Sequence, residues 1–182
     1  FWESSWKHKT LGTVTQAGLV NNLNDGMIWG LLPVMLSLAH FNQAETGMLV
    51  AIYPAVWGIG QLFTGKMADH FSRKKMLFWG MLSQAMAIML LPAAGDAWQI
   101  GTLMVMLGLG TALVYPTFLT AIAAATSPQQ RAESIGVFRL WRDLGYAFGA
   151  VLSGVVADWL GLNAAIWTIG LLTLFSALVI WN

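Results

Sequence analysis

The stretch GKMADHFSRKKML, Gly65–Leu77, lies between two long apolar segments and carries much of the charge in the first half of the chain. Its basic side chains are Lys66, Arg73, Lys74 and Lys75, and its carboxylate is Asp69. Basic clusters between apolar segments stay on the cytoplasmic side of a bilayer and bind its anionic leaflet. The stretch therefore indicates a short loop at a membrane surface, joining one spanning helix to the next.

The composition of the chain also indicates lipid as its solvent. Of 182 residues, 57% are hydrophobic and 9% are charged, whereas soluble domains carry about 25% charged residues. Nine basic and eight acidic side chains are too few to cover a water-facing surface. The formal net charge of +1 argues against a nucleic-acid partner, and the absence of cysteine excludes disulfides and thiolate metal sites.

Breaks rich in Gly, Pro and charge divide the chain into six apolar segments, each about as long as a membrane-spanning helix of roughly 20 residues. These are 12–39, 46–65, 76–94, 98–122, 136–157 and 163–181. They are continuously apolar, which disfavours the alternating strands of a membrane barrel. We therefore predict an all-α polytopic membrane protein, with a cytoplasmic linker or tail over 1–11 and a six-transmembrane-helix bundle over 12–182.

The basic residues predict how this bundle is oriented. All nine fall ahead of the first segment, after the second or after the fourth, whereas the connections HFNQAE, AGDAW and DWLGLN contain no Lys or Arg. The positive-inside rule then places both termini in the cytoplasm and favours the cytoplasmic (plasma) membrane. The leader FWESSWKHK lacks the apolar core of a signal peptide, so we expect further residues upstream of Phe1.

The spacing within GKMADHFSRKKML resembles the signature loop of the major facilitator superfamily, which reads roughly G-x-x-x-D-R-x-G-R-[RK]. The matching positions are Gly65, Asp69, Arg73 and Lys74. His70 stands where the family usually has Arg, and Ser72 where it usually has Gly. This resemblance implies a transporter fold.

The resemblance covers the whole chain, because six spans with this loop after the second are the layout of one half of such a transporter. The fifth segment is similar to the Gly-rich fifth or eleventh helix of the superfamily, and its Gly145 and Gly149 allow two helices to approach closely. The imperfect loop, the basic leader and the end of the chain after the sixth span favour the C-terminal half. The implied partner is the missing other half or a second copy.

A polar cluster, NNLNDGM at Asn21–Met27, interrupts the first apolar segment. At 1.5 Å per residue, Asp25 lies roughly 21 Å from the start of the span, deep in a core about 30 Å thick. Asn21 and Asp25 share a helix face, Asn24 lies beside that face, and Asn22 points more to the side. Hydrogen bonds that fix the helix packing and a polar pathway both account for such a cluster.

In the superfamily the first helix of each half borders the substrate cavity, so the resemblance implies that Asn21, Asn24 and Asp25 line a substrate or proton pathway. A buried carboxylate can be neutral or charged near physiological pH, which makes Asp25 the predicted substrate ligand or proton carrier. Sodium coupling is the open alternative. Residues that would let the helix bend or open follow at Gly26, Gly30 and Pro33.

A second polar strip lies on the fourth segment, where the family's fourth helix also borders the cavity. It consists of Thr111, Tyr115, Pro116, Thr117 and Thr120. These hydroxyls suit either substrate contact or repair of the helix around the proline, and Tyr115 and Thr117 are the predicted substrate contacts. On the second segment, the spacing of Tyr53, Trp57 and Gln61 fits packing and a cavity wall equally.

Charged residues at the predicted cytoplasmic start of the fifth span suggest a gate. Arg139 and Asp143 lie four residues apart with Arg142 beside them, and such a pair can close on itself or exchange partners with Asp69. A static anchor at the membrane surface is the alternative. The predicted gate and motif loop comprise Gly65, Asp69, Arg73, Lys74, Arg139, Arg142 and Asp143.

Together these features predict a secondary active transporter of a small solute, coupled to protons and working by alternating access, with no cofactor and no metal. An enzyme is disfavoured, because the sequence contains neither G-x-S-x-G nor H-E-x-x-H and its histidines lie at span ends or tails. A non-transporting receptor or assembly subunit is the alternative function. The polar cluster suits a sugar, an amphiphilic drug or an organic acid.

Overall fold

The computed structural model describes the backbone of residues 1–182 and all side chains except those of Glu3, Ala68 and Asp69. Six long helices form the chain: α1 (Lys9–Leu38), α2 (Gln43–His70), α3 (Arg73–Leu90), α4 (Ala97–Ala125), α5 (Pro128–Leu160) and α6 (Leu162–Trp181). A π-helical turn, Glu3–Lys7, precedes α1, and a 3-10 turn, Leu91–Ala93, extends α3. The described backbone contains no strand, which confirms the all-α prediction.

Four of these helices, α2, α3, α4 and α6, are long and apolar enough to cross a membrane. The two longest helices are α1, with 30 residues, and α5, with 33 residues, and both carry more polar side chains. The polar cluster at Asn21–Met27 lies in α1, and the first half of α5 contains several charged residues.

Local capping explains why several helices extend beyond the apolar segments. At the start of α2, the Asn42 side chain accepts from the Glu45 amide at 3.0 Å and the Glu45 carboxylate accepts from the Asn42 amide at 2.8 Å. This reciprocal pair satisfies two of the free N–H groups at the helix start. At the start of α5, Pro128 occupies the first turn, where a missing N–H costs nothing.

The early start of α5 decides where its charged residues lie along the helix. Because the helix begins at Pro128, Arg139 and Arg142 lie roughly 16 to 21 Å along it at 1.5 Å per residue. They therefore lie well inside the helix instead of at its first turn, and they reach the level of the polar residues on α1 and α4.

The N-terminal residues pack against the bundle. The Trp141 indole on α5 donates to the Ser5 hydroxyl at 3.0 Å, and the hydroxyls of Ser4 and Ser134 lie 3.2 Å apart. The α1 helix already begins at Lys9. The predicted tail over 1–11 thus contains an ordered turn on α5 and the first residues of α1.

The helix neighbours define an open face. Helix α1 packs along α5 and also contacts α6, α2 packs along α4, and α3 lies between α4 and α6. The order around the bundle is therefore α2, α4, α3, α6, α1 and α5, which leaves α2 and α5 at its two edges. We call the surface between these edges, with α1 and α4 at its floor, the open face.

Close packing of α1 on α5 depends on glycine. A Cβ at Gly145 would collide with the carbonyl oxygen of Leu19, and one at Gly149 would collide with that of Leu23. The absence of side chains at these positions lets the two backbones approach each other. The predicted close approach through this pair is confirmed.

Helix α1 remains continuous through Gly26, Gly30 and Pro33. Gly26 packs against the α5 backbone at Tyr146, so it serves helix contact. The helix is therefore not opened at these residues in this structure, and α5 supports it at Gly26. Pro33 has no N–H, so the Trp29 carbonyl lacks its usual helix donor.

Two apolar clusters form the core, one on each side of a polar layer. One contains Met27 and Ile169, and the other contains Val14 and Phe118. Along α1, the buried Asn21 and Asp25 fall near the boundary between them. The polar residues thus occupy the middle of the bundle, where a buried polar group requires a hydrogen-bond partner.

Candidate functional site

The Asp25 carboxylate on α1 is the acceptor at the centre of the site. It is 6% exposed, and the Tyr53 hydroxyl on α2 donates to its Oδ1. The same hydroxyl lies 3.3 Å from Thr111 Oγ1 on α4. Three helices thus meet at one buried carboxylate, which is held by a hydroxyl without a basic residue in hydrogen-bonding contact among the described side chains.

A column of aromatic rings leads from this carboxylate along the open face. The Tyr53 and Trp57 rings are stacked with centroids 6.2 Å apart, and the Trp57 and Tyr115 rings lie 5.2 Å apart. The Arg142 guanidinium on α5 lies 5.7 Å from the Tyr115 ring centroid. A cation over an aromatic face is attracted by the ring quadrupole. The column therefore connects α2, α4 and α5 in front of α1.

One polar atom in this column is unpaired. Trp57 Nε1 is buried, and no described residue accepts its hydrogen. A buried donor without an acceptor costs free energy, of the order of 1 to 3 kcal/mol, unless a water or a ligand satisfies it. This donor therefore marks a place where a bound molecule would be stabilised.

The charged pair at the edge of the column differs from the predicted one. Arg142 donates to a single Asp143 oxygen from Nε at 2.9 Å and from Nη2 at 2.7 Å. Arg139 is exposed, so the predicted pairing of Arg139 with Asp143 is wrong in this structure. The Tyr115 ring holds the Arg142 side chain against the helix, within reach of its neighbour. The side chain of Asp143 is 62% exposed, which places the pair on the open face.

The asparagines of α1 bond in another direction. Asn24 donates to Gln84 Oε1 at 2.9 Å, Gln84 donates to Asn21 Oδ1 at 3.0 Å, and Thr173 donates to Asn24 Oδ1 at 2.6 Å. All four side chains are buried and connect α1 to α3 and α6. We call Asn21, Asn24, Gln84 and Thr173 the amide network.

Asn21 and Asp25, predicted from the sequence to share a helix face, therefore bond to different helices: Asn21 to α3 and Asp25 to α2. Consecutive residues on a helix are turned by about 100°, so Asn24 points to α3 and α6 while Asp25 points to α2. Asn22 accepts from the Asn21 amide at 3.3 Å. Sequence reasoning missed Gln84 and Thr173, because neither lies in a dense polar cluster like the one at Asn21–Met27.

Thr117 does not join the aromatic column. It is fully buried, donates to the Leu113 carbonyl at 2.7 Å, and lies 4.0 Å from the Met76 sulfur on α3. Its hydroxyl thus bonds to its own helix, which is the alternative that the sequence left open. Of the two predicted contacts on α4, the structure brings Tyr115 to the open face and keeps Thr117 inside the bundle.

The motif loop lies away from this site. The side chain of Asp69 falls outside the described residues, Arg73 is the exposed first residue of α3, and the Lys74 ammonium lies 5.8 Å from the Trp181 ring centroid. Helix α2 continues past Gly65 to His70, and a Cβ at Gly65 would meet nothing within 4 Å among the described side chains. Gly65 therefore neither ends α2 nor packs closely against a described residue of this chain.

Comparison with known proteins shows which family and which relatives the chain resembles. Residues 15–181 match the family model described as Major Facilitator Superfamily. The chain is 26% identical to the Inner membrane transport protein YnfM of Escherichia coli K12 over 84% of its own length and 36% of the relative. It is 23% identical to Multidrug resistance protein 2 of Bacillus subtilis over 74% of its length and 34% of the relative.

A fungal relative matches a larger share of the chain. Citrate exporter 1 of Aspergillus niger is 21% identical over 92% of this chain and 32% of the relative. The chain thus matches about a third of the length of each of these curated relatives. The family match and the apolar helices indicate an integral membrane protein.

Proposed function

The chain belongs to the Major Facilitator Superfamily, and on that premise we propose that it forms one six-helix half, the C-terminal one, of a secondary active transporter. In this proposal all six helices span the membrane, including α1 and α5, whose polar side chains pack inside the bundle or lie on the open face. Both termini lie on the cytoplasmic side of the cytoplasmic membrane. The carried solute is a small organic molecule.

The hydrogen bond from Tyr53 to Asp25 is the observation that carries the proposal. A carboxylate in the middle of a membrane-spanning helix is costly and typically marks an ion or substrate pathway. Here the hydroxyl stabilises the charged form, and protonation of Asp25 removes the charge and weakens that bond. A proton on Asp25 would therefore change how strongly α2 is held to α1.

The open face supplies the place for a solute. The Trp57 and Tyr115 rings offer flat apolar contact, Trp57 Nε1 offers an unused donor, and Arg142 and Asp143 offer one charge of each sign. The edges at α2 and α5 leave this face without a second wall. A second bundle, from the other half or from another copy, would complete the cavity, and rocking of the two bundles would expose it to each side in turn.

The predicted site residues divide between two roles under this proposal. Asp25 and Tyr115 contact the pathway, together with Tyr53, which the sequence did not assign. Asn21, Asn24 and Thr117 hold the helices behind it. Protons are the proposed coupling ion, because the described acceptor set at Asp25 is one carboxylate with two hydroxyls nearby. The gate remains part of the proposal. Asp69 in the motif loop would exchange ion-pair partners with the charged residues of α5 on the cytoplasmic side.

Proton flux driven by solute tests the proposal. The full-length protein would be reconstituted in vesicles that enclose a pH-sensitive dye, and citrate and a panel of cationic drugs would be added in turn. We expect Asp25→Asn to reduce solute-driven proton movement at least tenfold. The matched control is Asp158→Asn, which alters an exposed carboxylate near the end of α5 and should leave the flux unchanged.

Two outcomes would contradict the proposal. Equal flux in wild type and Asp25→Asn would remove the carboxylate from the coupling step. Saturable solute binding to the wild-type protein with no transport of any bound solute would favour the receptor alternative.

A further inference from the structure

A second cavity lies at the end of the bundle where the basic residues gather. Its volume is about 450 Å³, and it lies among the first turns of α1 and α3 and the last turns of α4 and α6. It is separate from the open face, since it shares no residue with the aromatic column. We call it the basic pocket.

The lining of the basic pocket favours a phosphate. Its described lining residues include the imidazole of His8 and three cations, Lys9, Arg73 and Lys74, and no carboxylate side chain. The last two lie in the first turn of α3, where unpaired N–H groups also favour an anion. Like charges gathered around one cavity repel each other, so a bound anion would relieve that repulsion.

An apolar cavity adjoins the basic pocket. It has a volume of about 320 Å³ and is lined by Trp6, Leu19 and Trp141, among others. His8 and Lys9 line both cavities, so the two lie next to each other at the first turn of α1. A molecule that fills both must therefore have an anionic part and an apolar part next to it.

Gln16 provides an independent observation in the apolar cavity. Its Nε2 is buried and finds no acceptor among the described residues, although the side chain lines the cavity. An amide donor in such a place is satisfied by an acceptor that enters with a ligand. A glycerol ester carbonyl, which lies between the phosphate and the acyl chain of a phospholipid, is an acceptor of this kind.

We propose that the two cavities form one binding site for an anionic phospholipid, with the phosphate in the basic pocket and the glycerol ester and acyl chain along the apolar cavity. Basic pockets between membrane helices are known to bind lipid headgroups, and juxtamembrane basic residues each contribute about 1 kcal/mol at an anionic surface. A free phosphate would use only the first cavity and would leave Gln16 unpaired. This site is independent of the proposed transport function.

Thermal stability of the purified full-length protein in detergent tests the site. The melting temperature would be followed while phosphatidylglycerol, phosphatidylcholine or inorganic phosphate is titrated in. We expect a saturable rise with phosphatidylglycerol that exceeds the rise with phosphatidylcholine at least twofold. The double variant Arg73→Gln/Lys74→Gln should lose more than half of that difference.

Three further variants separate binding at this site from general surface charge and from packing. Lys66→Gln/Lys75→Gln removes the same charge from exposed residues of the neighbouring helix ends that line neither cavity, and should keep the full difference. Arg73→Lys/Lys74→Arg keeps the charge and should also keep it. Gln16→Leu should lower the response to phosphatidylglycerol.

Each comparison in this experiment has its own result that would contradict the proposed lipid site. An equal rise with inorganic phosphate alone would identify a free-phosphate site and overturn the lipid assignment. An equal loss in the two charge-removing double variants would show nonspecific attraction to the surface. An unchanged lipid response in Arg73→Gln/Lys74→Gln would rule out the basic pocket.

Discussion

The Tyr53 hydroxyl donates to the Asp25 carboxylate and thereby joins the edge helix α2 to the central helix α1. Few other contacts join these two helices, since α2 packs mainly on α4. A change of charge at Asp25 would thus act directly on the attachment of α2. Under the proposed function, this hydrogen bond would link proton binding at Asp25 to movement of α2.

Removal of the Tyr53 hydroxyl should uncouple transport while the protein remains folded. Tyr53→Phe keeps the ring stacked on Trp57 and deletes the donor to Asp25, at a stability cost of about 1 kcal/mol. We expect solute-driven proton flux to fall at least tenfold. Tyr146→Phe, which alters a half-exposed ring on α5, is the control and should keep its flux. Wild-type flux in Tyr53→Phe would show that the bond is not part of coupling.

The amide network should contribute measurably to the free energy of unfolding. Gln84→Ala removes the partner of Asn21 and Asn24 and leaves their buried amides without a described acceptor or donor on α3. Because unpaired buried polar groups cost about 1 to 3 kcal/mol, we expect the free energy of unfolding to fall by about that amount. Denaturant titration measures it. Gln130→Ala, at an exposed position on α5, should change stability by less than about 0.5 kcal/mol; equal losses would contradict the network.

Contact between α1 and α5 should tolerate no side chain at Gly149. A Cβ there meets the Leu23 backbone, so Gly149→Ala must push the helices apart, at a cost of about 1 to 3 kcal/mol. Gly154→Ala, five residues further along the same helix where a Cβ meets no described atom within 4 Å, should be neutral or stabilising. Melting temperatures of the two variants check this. The close approach would be disproved if both changed stability equally.

Arg142 should matter for solute affinity more than for stability. Arg142→Gln removes the cation from the Tyr115 ring and the partner of Asp143, contacts that cost less than about 1 kcal/mol each when partly exposed. We expect the apparent KM of transport to rise severalfold with little change in melting temperature. Arg139→Gln tests the pairing expected from sequence and should leave KM unchanged. A larger effect at Arg139 would favour the surface gate over the open-face site.

The sequence predicted the presence of the helices more accurately than the residues at which they begin and end. Runs of apolar residues with breaks between them indicate helices in lipid, but the end of a helix depends on local caps such as Asn42 with Glu45. The start of α5 at Pro128 was missed because the charged residues after it resemble a loop. Arg142 and Asp143 consequently lie about two turns further from the helix start than the apolar segment 136–157 indicated.

The candidate site was only partly predictable for a related reason. Asp25 stands out in sequence because a carboxylate in an apolar segment is rare. Its partner Tyr53 is 28 residues away, and the partners of Asn24 are 60 and 149 residues away, so that no spacing rule connects them. Only the packing of α1 against α2, α3 and α6 decides which polar residues meet.

The central claim is that the open face borders a watery route while the opposite surface meets lipid. The chain has no cysteine, so single cysteines can be placed at Tyr146, on the α5 edge of the open face, and at Leu171, on the exposed side of α6. Reaction of each with a membrane-impermeant thiol reagent in the full-length protein tests the claim. We predict that Tyr146→Cys is modified at least tenfold faster than Leu171→Cys. Equal rates at the two positions would contradict the account.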